Sequence, residues 1–94
     1  MFQAIAIHHA RAEHVEDFLA FMHRVRAAVG EPPGLIEFSA WRDAQSSRLV
    51  AVSRWESADD FRAALPLIQS LGPERREEWS ERPDELMLLD EAPG

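Results

Sequence analysis

The chain has no cysteine, lysine, tyrosine, threonine or asparagine among its 94 residues. Without cysteine there is no disulfide, no thiolate zinc site and no thiol nucleophile. Without lysine there is neither Schiff-base chemistry nor the lysine of a phosphate-binding loop. Without asparagine there is no N-glycosylation acceptor. No apolar run approaches membrane length, and the opening segment, Met1 to His8, is short and reads as a strand rather than a secretory leader. The expectation is a cytoplasmic protein with no membrane partner. Positive charge is scarce as well: 10 basic against 17 acidic residues leave a net charge of −7. A surface that tracks nucleic-acid phosphates needs clustered cations, so nucleic acid is not an expected partner. The acids gather late, in Glu74, Glu77, Glu78, Glu81, Asp84 and Glu85. That run reads as a solvated helical face.

What is present suits a small globular protein. The length fits one domain, residues 1–94, and a chain this short buries only about 60–65% of its unfolded surface, so pairing with a second copy would help. Phe2 to His8 is apolar throughout, as in a strand covered on both faces. Val15, Phe18, Leu19, Met22, Val25 and Val29 recur at helical spacing, and Gly30 with Pro32-Pro33-Gly34 ends that helix. Leu35–Arg42 and Arg48–Trp55 read as two strands joined by the polar loop 43–47. Ser57 caps a second helix, with Asp60 three residues on. Pro66 is expected to interrupt this helix near Leu65. A further helical piece then runs from Glu74 to about Ser80, and Pro83 closes it before a last strand, Glu85–Leu89. The order is β-α-β-β-α-β, an α+β ferredoxin-like fold with an antiparallel sheet and its helices on one face.

Alternation splits each strand into two sides. Ile5, Ile7, Ile36, Phe38, Val50 and Val52 form an apolar set expected beneath the helices. Ala4, Ala6, His8, Glu37, Ser39, Trp41, Ala51, Ser53 and Trp55 form the opposite set. Its mixture of small, aromatic and polar residues has the composition of a cleft, or of a surface awaiting a partner sheet. A dimer interface accounts for the tryptophans as well as a ligand site does.

On that side His8 is the candidate general base, with Glu37 to orient it or to act in its place. Trp41, Ser53, Trp55 and Phe61 are candidate ligand contacts. Arg75 or Arg54 can hold an anion by paired N–H donors, although ion pairing with the acid-rich segment explains arginines equally well. No metal site is expected: His8 and His9 point to opposite faces, and His14 and His23 lack chelating spacing.

The stretch Leu49-Val-Ala-Val-Ser-Arg-Trp-Glu-Ser-Ala-Asp-Asp-Phe-Arg-Ala-Ala-Leu65, with its Trp55-Glu56-Ser57 corner, resembles the antibiotic biosynthesis monooxygenase family of dimeric α/β barrels. The resemblance implies a homodimer with a pocket between sheet and helices. It also implies oxidation of phenols or quinols by O2 without a cofactor, a carbanion-like substrate supplying the electrons. Trp55 matches a strand-end Trp of the quinone-forming members. Ala51 stands where they carry Asn, Trp41 near where they carry His, and Arg75 near an Arg late in the second helical region. The haem-degrading branch needs a His on the second helical region, and none of the four histidines lies beyond residue 23.

The expected function is therefore a cofactor-independent monooxygenase acting on a small aromatic or polyketide-like molecule. The alternatives are a non-catalytic dimeric barrel that binds or senses a small hydrophobic molecule, or an isomerase or cyclase on the same fold.

Overall fold

The computed structural model describes residues 1–93. Six main elements follow in chain order: β1 (Phe2–Ala10), α1 (Val15–Val29), β2 (Leu35–Arg42), β3 (Leu49–Trp55), α2 (Ala58–Ser70) and β4 (Ser80–Asp90). Neighbouring strands in the sheet are antiparallel, in the order β2-β3-β1-β4. The α+β ferredoxin-like expectation is borne out.

Local chemistry explains the junctions. Gly30 takes φ +65° where α1 stops, a conformation that side chains with a Cβ resist. In the β2–β3 loop, Asp43 accepts from the Gln45 N–H at 2.9 Å, the Ser46 hydroxyl at 2.7 Å and Arg48 at 2.7 Å. These donors, the Gln45 amide foremost, lower its pKa to about 2. Ser57 caps α2 by accepting from the Asp60 N–H at 3.2 Å, as the sequence suggested.

Two prolines behave otherwise than expected. Pro66 lies inside α2, which continues to Ser70. Its ring is on the exposed side, while Phe61, Ala64, Leu65 and Ile68 hold the helix to the sheet, so tertiary packing outweighs one lost helical hydrogen bond. Pro83 lies within β4, an edge strand whose missing N–H is tolerated. The segment between α2 and β4 holds only two short 3-10 turns, Gly72–Glu74 and Glu77–Trp79, in place of the helix expected over 74–80. Gly72-Pro73 and the extended backbone at Arg75 and Arg76 divide it.

Both helices lie on one face of the sheet, α1 mainly across β2 and β3, α2 across β1 and β3. Beneath them are two apolar clusters. Phe18, Phe21, Met22, Val25, Leu49 and Trp79 form one; Phe2, Ala4, Trp55, Phe61 and Ala64 form the other. Trp55 and Phe18 are fully buried, and each such burial contributes about 1.5–3 kcal/mol.

The expected assignment of sheet faces is corrected for two strands and part of a third. β1 and β3 turn Ala4, Ala6, His8, Leu49, Ala51, Ser53 and Trp55 toward the helices. Ile5, Ile7, Val50 and Val52 face the other way, half-buried and outside both clusters. Phe38 and Ala40 of β2 do lie under the helices, but Ile36 is exposed because it is the extra residue of a β-bulge between Leu35 and Glu37. The reason is volume. The helices bring Phe18, Phe21, Met22 and Phe61, so the strand positions below them hold small side chains, and the branched ones go outside.

Candidate active site

The small residues leave a cavity of about 380 Å³ between the sheet and the helices, within the roughly 300–1,000 Å³ of ligand clefts. Its floor is Ala4, Ala6, Ala51 and Ser53, and its walls include Phe21, Met22 and Val25 of α1 and Phe61, Leu65 and Ile68 of α2. Leu86 of β4 also lines it and is 60% exposed, marking the open side.

Charge enters at one end only, where His8, Arg75 and Asp84 line the cavity together. His8 is 9% exposed, and its ring lies 4.8 Å from that of Phe18. Its Nδ1 is 3.0 Å from Asp84 Oδ2, off the line of a hydrogen bond, so that buried nitrogen has no hydrogen-bond partner among the described residues. Arg75 lies with its guanidinium 4.7 Å over the same Phe18 ring. It donates to both Asp84 oxygens, at 2.5 and 2.7 Å, and to Ser80 Oγ at 2.9 Å. Burial alone would raise the Asp84 pKa, but His8 and Arg75 outweigh it and hold the carboxyl well below the usual carboxylate range. One anion thus serves two neighbours.

The sequence candidates divide. His8, Ser53, Phe61 and Arg75 reach the cavity. Trp55 does not line it; the indole stands behind Phe61, ring centroids 5.9 Å apart, with an Nε1–H that has no partner among the described residues. Glu37 and Trp41 are on the opposite face. There the Trp41 indole donates to Ser39 Oγ at 2.8 Å, Ser39 donates to Glu37 at 2.9 Å, and Arg54 lies 3.5 Å from Glu37. Glu37 therefore has no access to His8. The parity of β2 carries both residues away, while His8 on β1 turns inward.

Asp84 is the residue that sequence reasoning missed. It sits in the acid-rich run and follows a proline. The available signal was its spacing: it is two residues before Leu86 and shares that residue's side of β4. Among the described residues no three His, Asp or Glu side chains converge as a metal ion would need.

The model of the family described as antibiotic biosynthesis monooxygenase matches residues 1–66. The chain belongs to the antibiotic biosynthesis monooxygenase family. The matched span runs from β1 into α2, and so holds His8, Ser53, Trp55 and Phe61, but ends before Arg75 and Asp84. Solved structures of the same fold include SnoaB, a cofactor-independent oxygenase from Streptomyces nogalater. It is 19% identical with a TM-score of 0.74, covering 99% of this chain and 94% of its own. The haem-degrader MhuD from Mycobacterium tuberculosis, solved with two haems in its active site, is 22% identical with a TM-score of 0.76, covering 100% and 98%. A conserved protein from Methanosarcina mazei Go1 is 12% identical with a TM-score of 0.85, covering 97% and 92%. No curated protein matches by sequence. Proteins with this scaffold thus include an oxygenase and a haem-degrader, so the side chains in the cavity carry the functional argument.

Proposed function

We propose that the protein is a cofactor-independent monooxygenase that removes a proton from a small, flat, aromatic or polyketide-like molecule and passes the resulting carbanion to O2. The observation that carries this reading is the His8–Asp84–Arg75 group at the polar end of an otherwise apolar cavity. His8 takes the proton of the acidic C–H or O–H group. Asp84 stands beside the imidazolium that forms and stabilises its charge, and Arg75 faces the substrate anion. The transfer moves charge inside the cavity without changing its sum. The carbanion then supplies the electrons for a C–O bond to O2. Loss of water from the hydroperoxide leaves a carbonyl, so a CH2 group and O2 give C=O and H2O. Phe21, Met22 and Phe61 supply the apolar walls that a fused ring requires.

The same reading includes a homodimer. Ile5, Ile7, Val50 and Val52, with Met87 and Leu89 from β4 and Trp41 from β2, leave the outer face of the sheet apolar. Two such faces packed together would enclose them about 10 Å apart.

The test is O2 uptake with anthrone-type substrates. The wild-type protein is expected to consume O2 above buffer, and His8→Ala to lose most of that rate. Wild type and His8→Ala both matching buffer would refute the oxygenase. A second reading, binding without turnover, draws on Ala51, whose methyl lines the cavity where quinone-forming relatives are expected to carry Asn. It predicts a ligand-induced rise in melting temperature with no O2 consumed.

A further inference from the structure

A second, smaller void of about 110 Å³ lies between α1 and β2. It shares Met22, Phe38 and Ala51 with the main cavity, so these side chains are the partition between the two spaces. Two of its three polar neighbours are engaged elsewhere. Arg26 lies over the Phe38 ring at 5.9 Å and is tied down by hydrogen bonds to Gly30 O and Glu31, both at 2.7 Å. Ser39 is bonded to Glu37 and Trp41 on the outer face. His23 is exposed at the rim. A water molecule needs two or more polar partners to stay in such a space, whereas an apolar void of ~150 Å³ stays dry and takes up xenon.

We propose that this void is a dioxygen subsite, from which O2 crosses the Met22 partition to a substrate already seated in the main cavity. The inference rests on the oxygenase reading. O2 is small, uncharged and apolar, and gains from a space lined by Met22, Phe38, Ala40 and Ala51. A flat substrate filling the main cavity closes the open side at Leu86 to the co-substrate, and the void offers a separate way in from the β2 edge. Met22 suits the boundary because its unbranched thioether chain rearranges with little strain.

The experiment is xenon pressurisation of crystals of the full chain, paired with O2 kinetics of Ala40→Leu. Ala40 lines the void but not the main cavity. Xenon density is expected between Met22, Phe38 and Ala40 in the wild type. In Ala40→Leu that density is expected to vanish and the KM for O2 to rise several-fold, while the affinity for 1-naphthol stays unchanged. Ala40→Val, a milder filling, should fall between. Ordered water in the void, or no xenon there, would overturn the proposal. So would an unchanged KM for O2 in a variant that has lost the xenon site. Xenon in the void together with no O2 consumption by the wild type would strike the oxygenase reading and leave the gas site standing.

Discussion

His8 and Asp84 meet across β1 and β4 because β4 carries one residue more than β1 at that point. Ile7 pairs with Glu85 and His9 with Arg82, so His8 alone spans the gap on β1 while Pro83 and Asp84 span it on β4. The bulge bends the strand at its proline and brings the carboxylate to the ring. On the other face the next pair repeats the theme, with His9 Nε2 2.6 Å from Glu85. Two consecutive histidines thus face two consecutive acids, one pair on the cavity side and one on the outside.

Asp84 should make stability depend on acid. Its ordinary pKa is 3.8 and its folded value is lower, because His8 and Arg75 outweigh the effect of burial. A depressed folded pKa gives stability that is present above the unfolded value and lost as pH falls through the folded one. Asp84→Asn is expected to be less stable at pH 7 by about 1–2 kcal/mol, more than an exposed pair and less than a fully buried one, since Arg75 and Asp84 are each 27% exposed. Below about pH 4 the wild type should lose melting temperature more steeply than the variant, and the two curves should converge at low pH. Parallel curves followed by circular dichroism would contradict this.

The tryptophans of the two faces should behave differently. Trp55 is fully buried against Phe61, so Trp55→Ala should cost about 3–5 kcal/mol. Trp41 is 57% exposed, and Trp41→Ala should change the stability of the single chain by no more than about 0.5 kcal/mol. Urea titrations at low protein concentration check both, and equal losses would be the contrary result.

How much of this was readable from the chain follows from the same two residues. The order of elements and the Ser57 cap were legible, because capping residues, glycines and helical spacing act locally. The faces of β1 and β3 were not. Hydrophobicity ranks Ile5, Ile7, Val50 and Val52 as core, but the space beneath the helices is set by distant Phe18, Phe21 and Phe61, and only small residues fit below them. The alanine-rich side does have a cleft's composition, and that cleft lies under the helices rather than on the open sheet. His8 was found from its chemistry. Asp84 was not: spacing from Leu86 gives its side of β4, but its meeting with His8 depends on the β1–β4 pairing and its bulge, which the sequence does not reveal.

The outer face should govern association. Val52→Asp puts a charge among Ile5, Ile7 and Val50 without entering the cavity. Sedimentation is expected to show a dimer for the wild type and a folded single chain for the variant. A wild-type protein that sediments as a single chain across the micromolar range would remove the dimer from the account.

Gly34 lies just before β2, packs against the first turn of α2 and leaves no room for a side chain. It has φ +83°, and a Cβ there would sit 2.2 Å from the Asp60 carboxylate that completes the Ser57 cap. Gly34→Ala should lower stability by more than about 1 kcal/mol, from backbone strain together with the displaced cap. For a domain of this size each kcal/mol is about 4–8 °C of melting temperature. A melting curve unchanged by the substitution would speak against that packing.

The central claim is that a flat ligand sits between the sheet and the helices with its acidic group at His8. A crystal structure with 1-naphthol tests it most directly. The account predicts the ring among Phe21, Met22 and Phe61, with its oxygen within hydrogen-bonding distance of His8. A ring bound on the outer face beside Trp41 and Glu37, with the inner cavity empty, would contradict it.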